Sequence, residues 1–297
     1  MTDVPFAPPG PLPFRVLLDE ALRRARRHFR AIYPGVAIPV TILATAVATA
    51  QAVWFSHLKM DLGSLGTPFL NLGYLALILV YSSLLMVAYN TLQVAAIDAV
   101  AGRPVDLRRA WRFTVQGRVL GTLTLWYAAT LASVFCCCLP ALIVAPLLLL
   151  VPAVMADEER FGIQAISRSA RLTWHFPRDR WWASPLVKAF LLLLVGVILA
   201  YLTALLVSLP FQVPMYIDMF RKAAAGEDFT GGMSAWVWLQ VPAQFLSSLA
   251  STAVYLYVCF GVALLFYDTR GRREGTDLRA GIDSAFPDEP LPGELLS

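Results

Sequence analysis

Leu107-Arg-Arg-Ala-Trp-Arg-Phe-Thr114 is followed within a few residues by Val119 to Ala156, a run of 38 residues without a single charge. Crossing about 30 Å of hydrocarbon takes roughly 20 helical residues at about 1.5 Å each. The run is therefore too long for one crossing and suited to two, with a break expected near Cys138-Leu139-Pro140 because proline cannot continue a helix. A short basic segment followed by a helical hairpin is the unit this stretch defines.

The same unit occurs twice more. Leu22-Arg-Arg-Ala-Arg-Arg-His-Phe29 and Ile166-Ser-Arg-Ser-Ala-Arg-Leu-Thr173 align with it, placing arginines at Arg24, Arg109 and Arg168 and again at Arg27, Arg112 and Arg171. A small residue follows the first arginine each time, at Ala25, Ala110 and Ser169. A spacing of three puts both guanidinium groups on one helical face. Around the first copy, Leu17, Leu18, Ala21, Leu22 and Ala25 form an apolar face opposite Arg23, Arg24, Arg26, Arg27 and Arg30. That pattern suits a helix lying at a membrane interface over anionic headgroups. The bland reading of the same arginines is that they are topology determinants on solvated turns.

Composition agrees with the hairpins. With 58% hydrophobic residues, 15% charged and a mean hydropathy of +0.63, the chain has too little polar surface to coat a soluble globule of its length. Besides the hairpin, single spans are expected at Ile32 to Phe55, Phe69 to Ala96, Pro185 to Leu209 and Val241 to Phe266. Lys188 falls in the first turn of the fifth span, where its stem could extend to the headgroups. The expected architecture is all-α: a polytopic membrane bundle of six transmembrane helices with three amphipathic cytoplasmic interfacial helices, in a threefold internal repeat. It forms one domain over residues 14–281, between a proline-rich tail 1–13 and an acidic tail 282–297.

Twenty of the 24 Lys and Arg lie in the N-terminal segment, the segments before Val119 and Pro185, and the C-terminal tail; only Lys59, Arg221 and Lys222 lie in alternate loops. The positive-inside rule then places both termini in the cytoplasm. Trp174, Trp181 and Trp182 at the start of the fifth span, and Trp54, Trp236 and Trp238 toward the other side, suit interfacial belts. The run from Arg23 through Ala48-Thr-Ala50-Gln-Ala52 imitates a cleavable signal peptide. Retention is expected, because the repeat makes this span half of a hairpin.

Candidate chemistry is sparse. His28, His57 and His175 fall on different sides of the expected membrane and have no HxxxH or HxH partner. Cys136, Cys137 and Cys138 are adjacent, pointing about 100° apart on a helix, which makes them a poor chelate; small apolar packing suits them better. No GxSxG, P-loop or dinucleotide fingerprint is present, so no catalytic residue, cofactor or metal is expected. Nucleic acid is an unfavoured partner because basic residues are split among loops and balanced by acids, leaving a net charge of +4. The polar residues Asn90, Gln93 and Asp98 end the second span, and Gln51, Gln240 and Gln244 sit near the outer ends of the first and sixth. Small residues four apart, Ala44/Ala48, Ser247/Ser251 and Ser248/Thr252, suit close helix packing. Pro34, Pro39, Pro146, Pro152 and Pro242 are expected kinks.

Leu150-Val-Pro-Ala-Val-Met-Ala-Asp-Glu-Glu-Arg160, Ala165-Ile-Ser-Arg-Ser-Ala-Arg-Leu-Thr173 and Phe266-Tyr-Asp-Thr-Arg-Gly-Arg-Arg-Glu-Gly-Thr-Asp-Leu278 resemble bacterial membrane proteins related to the membrane domain of glycerophosphodiester phosphodiesterases. The matching positions are Glu158 or Glu159, Arg168, Ser169, Asp268, Arg270, Glu274 and Asp277. Ala153 departs from the glycine that often follows the fourth-span proline, and the catalytic barrel of the phosphodiesterases is not part of this sequence. The resemblance implies a fold and a bacterial inner membrane, and carries over no catalytic residue.

The expected role is a non-catalytic membrane scaffold or partner subunit, touching anionic lipid headgroups and a membrane or cytoplasmic protein. The alternative is a transporter or channel component for a lipid-like or amphipathic solute. The expected lipid or inter-helix contacts are Arg24, Arg27, Arg109, Arg112, Arg168, Arg171, Asp268, Arg270 and Glu274. Asp268 is expected to clamp Arg168 and Arg171, tying the last span to the third repeat.

Overall fold

A computed structural model describes residues 12–57, 67–135, 139–174, 184–225 and 233–274. They are helical almost throughout: α1 (Phe14–His57), α2 (Thr67–Val100), α3 (Leu107–Thr114), α4 (Gly117–Phe135), α5 (Leu139–Leu148), α6 (Val151–Glu158), α7 (Ile163–Thr173), α8 (Pro185–Ala225) and α9 (Met233–Glu274). Five segments are long and apolar enough to cross a membrane, consistent with a multi-pass membrane protein: Phe14–Gln51, Ala76–Val100, Pro140–Glu158, Pro185–Asp218 and Trp238–Arg273. The helix α4 is not among the five. Its 19 residues include Arg118 and a row of hydroxyls at Thr122, Thr124, Thr130 and Ser133.

The expected interfacial helix before the first span is not a separate element. Residues 14–57 form one helix, straight through Pro34 and Pro39. The physical reason is visible in its buried stripe. Leu17, Ala21, Ala25, Ile32 and Val36 continue the same face from the basic half into the apolar half, so one neighbour, α9, serves both. The two helices run antiparallel: Leu12 N–H donates to Asp268 Oδ1 (3.2 Å), His28 stacks on Phe260 (5.9 Å), and Tyr33 Oη donates to the carbonyl of Leu249 (2.9 Å).

The helices α3 and α7 are short and two-faced. Ala110 and Thr114 are buried on α3 and Ala165, Ser169, Leu172 and Thr173 on α7, while Arg108, Arg109, Arg112 and Arg171 point out. Asp106 caps α3 by accepting from the N–H groups of Arg108 and Arg109. Leu107 packs where Gly35 of α1 has no side chain, and Trp111 Nε1 donates to the Gly35 carbonyl (3.4 Å).

The described part of α4 ends at Phe135 and α5 begins at Leu139, and the two pack together, while the expected break near Cys138 lies partly outside the described residues. Cys136, Cys137 and Cys138 lie outside the described residues. A second break separates α5 from α6 at Leu149-Leu150, between Pro146 and Pro152. The last carbonyls of a helix have no donor within it, and at the end of α5 the helix α7 supplies two: Ser169 Oγ (2.6 Å) and Thr173 Oγ1 (3.2 Å) both donate to the carbonyl of Leu147. The small residue of the third repeat is thus a docking hydroxyl.

Candidate functional site: a charged layer at one end of the bundle

Lipid is as apolar as a leucine core, so helices in a bilayer gain little by burying apolar surface on one another; close packing and polar pairs hold them. Among the described residues the ion pairs gather at one end of this bundle, where α2, α6 and α9 finish and α1, α4 and α8 begin.

At the centre is Asp157 near the end of α6, whose carboxylate is only 10% exposed. It pairs with Arg103 Nη2 (3.1 Å) and with Arg270, and it accepts from Tyr267 Oη (2.7 Å). Arg103 also reaches back to the buried Asp98 at the end of α2, with Nε 2.8 Å from Oδ1. One guanidinium therefore ties the end of the long helix α2 to the end of the short helix α6. Arg270 adds the third, since it comes from α9.

Glu158 is the neighbouring hub. Arg168 of α7 donates to both of its carboxylate oxygens through Nε (3.1 and 2.9 Å) and to Oε1 through Nη2 (2.9 Å). Such forked geometry is the strong form of the pair. Arg160 (3.2 Å) and, at longer range, Arg270 (3.9 Å) approach the same carboxylate.

A third group is buried more deeply. Lys188 of α8 and Asp268 of α9 have side chains only 5% and 3% exposed and lie 3.3 Å apart. Lys188 Nζ donates to the carbonyl of Leu12 (2.6 Å), and Asp268 accepts from the Leu12 N–H and from Arg272. The pair thus holds both backbone polar groups of one residue just before α1. Lys188 was expected to extend to the headgroups; it turns inward instead, where a buried carboxylate and a carbonyl each accept from its ammonium.

The sequence-predicted residues divide accordingly. Arg24 is largely buried, bonded to Glu20 Oε1 (2.9 Å) and to the carbonyl of Val100 (3.3 Å), so it joins α1 to α2. Arg168 and Arg270 meet at Glu158, while Arg27, Arg109, Arg112 and Arg171 are exposed. Asp268 pairs with Lys188 and Arg272, and Arg168 pairs with Glu158, in place of the expected Asp268–Arg168 clamp. Glu274 closes α9, and its side chain, like Asp277, His57 and His175, lies outside the described ones. Ala25, Ala110 and Ser169 share one property, near-complete burial (6%, 0% and 0% exposed), so the small residue lies on the contact face at each of these positions.

Sequence reasoning missed Arg103, Asp157 and Tyr267 and gave Asp98 no partner. One signal was present: Asp98 and Asp157 each precede the first arginine of their repeat, Arg109 and Arg168, by the same eleven residues. Polar groups within the bundle are also used internally. Asn90 Nδ2 donates to Thr114 Oγ1 (3.0 Å) and Gln93 Nε2 to the carbonyl of Cys259 (3.4 Å), fastening α2 to α3 and α9. Among the described residues, no group of three or more His, Cys, Asp and Glu is arranged to hold a metal ion.

Comparison of the chain with protein-family models, curated proteins and solved structures finds no match. Nothing in these comparisons links the chain to phosphodiesterase membrane domains; of the residues quoted for that resemblance, Glu158, Arg168 and Arg270 come together in space.

Proposed function

We propose that the chain is a non-catalytic, six-span scaffold or partner subunit of a bacterial inner membrane, with its charged end in the cytoplasm. The observation that carries this reading is the division of labour among the charges. Asp98, Asp157, Glu158 and Asp268 are taken up in bridges between helices, and the second arginine of each repeat, Arg27, Arg112 and Arg171, faces outward. The first set fixes the bundle. The second offers a basic surface to anionic headgroups and to an acidic partner, each basic side chain contributing about 1 kcal/mol near an anionic leaflet.

Support for a sixth span comes from Arg103. It joins Asp98 at the end of α2 to Asp157 at the end of α6. A chain that leaves one end along α4 and returns to it along α5 and α6 has crossed twice. A double change, Arg112→Gln and Arg171→Gln, is expected to lower the phosphatidylglycerol retained on purification without altering thermal unfolding. Unchanged lipid retention overturns the lipid-contact reading.

The second reading, a transporter for an amphipathic solute, is favoured by proline-containing long helices with a cleft between them. Dithionite bleaching of a fluorescent phospholipid in reconstituted vesicles separates the two readings. A scaffold leaves the protected leaflet dark to the reagent, and rapid loss of the inner-leaflet signal favours transport.

A further inference from the structure

The helices α8 and α9 touch closely near the charged end and part farther along. A side chain at Gly196 would meet Val258 Cγ2 at 2.7 Å, and one at Gly261 would meet Leu192 Cδ1 at 2.7 Å, so glycine permits the close contact. Beyond it, between residues 201–216 of α8 and 239–247 of α9, lies a cleft of about 430 Å³. That volume falls within the range of small-molecule sites, roughly 300–1,000 Å³.

Its lining has an unusual chemistry for an otherwise apolar pair of helices. Ser208, Gln212, Gln240, Gln244 and Ser247 present hydroxyls and amides, and Leu205, Phe211 and Leu239 supply an apolar wall. Among the described residues that line it there is no Asp, Glu, Lys, Arg or His. Pro210 and Pro242 stand beside it. Having no N–H, they deprive the carbonyls of Leu206 and Trp238 of the usual donor four residues on, which adds acceptors along the same stretch.

We infer that this cleft binds a neutral amphipath: an apolar chain joined to an uncharged, hydroxyl-bearing head, as in a diacylglycerol or an uncharged glycolipid. Glutamine and serine can both donate to and accept from hydroxyl groups. A charged head would enter a low-dielectric site with no counter-charge and lose its hydration uncompensated. The apolar wall takes the chain, and the amides fix the head. Binding here requires no transport step, and the cleft lies away from the charged layer, so its failure leaves the scaffold reading standing.

The full-length protein in phosphatidylcholine nanodiscs, illuminated with a diacylglycerol carrying a diazirine in one acyl chain, provides the test. Crosslinked peptides are expected to concentrate in 201–216 and 239–247. Unlabelled diacylglycerol or a monoglycosyl diacylglycerol should compete, the better competitor identifying the source of the head, whereas phosphatidylglycerol and free fatty acid should not. The double change Gln240→Leu and Gln244→Leu removes two neutral hydrogen-bonding groups and should lower labelling about tenfold. Leu205→Trp, which fills the cleft from its apolar side, should lower it independently of any effect on folding in the double variant. Labelling spread evenly over the exposed faces of α8, equal competition by the anionic lipid, or labelling unchanged in both variants would overturn the inference.

Discussion

The two ends of the α8–α9 pair are built on opposite principles. At one end a buried lysine and aspartate, two glycine contacts and the layer of carboxylates and arginines fasten the helices to one another. At the other, Tyr201 is 66% exposed, Ile217 62% and Phe220 69%, and a cleft stands between the helices. Apolar exposure there suits contact with lipid, which leaves the charged end to define how the helices are arranged. The difference teaches that stability and adaptability are placed at separate ends of the same helices.

Removing the central carboxylate should break that contrast most severely. Asp157→Ala removes the shared partner of Arg103, Arg270 and the Tyr267 hydroxyl, leaving Arg103 to Asp98 and Arg270 to Glu158, and losing such charge-assisted bonds costs about 2–3 kcal/mol. Unfolding of the detergent-solubilised protein measures it. A loss no larger than that of an exposed-arginine variant would show that the layer does not hold the bundle.

A double-mutant cycle sharpens the map within the layer. Glu158→Gln and Arg168→Ala should couple by about 1–3 kcal/mol, whereas Asp268→Ala and Arg168→Ala, which share no ion pair in the structure, should add to within about 0.5 kcal/mol. Coupling between the latter pair would restore the clamp that the sequence suggested.

Glycine changes probe the close contact directly. Gly196→Ala drives a methyl into Val258, whose branched side chain has little rotamer freedom in a helix, and overpacking of this kind costs about 1–3 kcal/mol. Gly121→Ala in α4 meets nothing within 4 Å and should be neutral or gain up to about 1 kcal/mol from helix propensity. Equal effects at the two sites would remove the packing argument.

The smallest effect is expected at Arg23, 79% exposed and 3.3 Å from Glu20. Arg23→Gln should change stability by less than about 1 kcal/mol, and less still in high salt.

Much of the helix inventory was legible because long charge-free runs have few other ways to exist. The break near Pro140 could be read as well, since a 38-residue run exceeds one crossing. The continuity of α1 could not. The same leucine and alanine stripe that suits a membrane surface also suits a neighbouring helix, and only the presence of α9 along its whole length decides. Partner choice among the charges was hidden for a related reason. Glu158 and Asp268 both lie within reach of basic residues in sequence, and their separation into an Arg168–Glu158 fork and a Lys188–Asp268 pair depends on how α6, α7, α8 and α9 dock. Arg103 is the clearest case: its role as a bridge between α2 and α6 requires the chain between them to return, which no local pattern states.

That return is the central claim, and the native cysteines test it. With Cys259 replaced by alanine, Cys136, Cys137 and Cys138 stand between α4 and α5, and an impermeant thiol reagent added to intact cells should label them. In a variant without native cysteines, Ala225→Cys, on the same predicted side, should also label, and Arg112→Cys at the charged end should react only after the cells are opened. Protection of the three native cysteines together with labelling at Arg112→Cys in intact cells would contradict both the sixth span and the cytoplasmic placement of the charged layer.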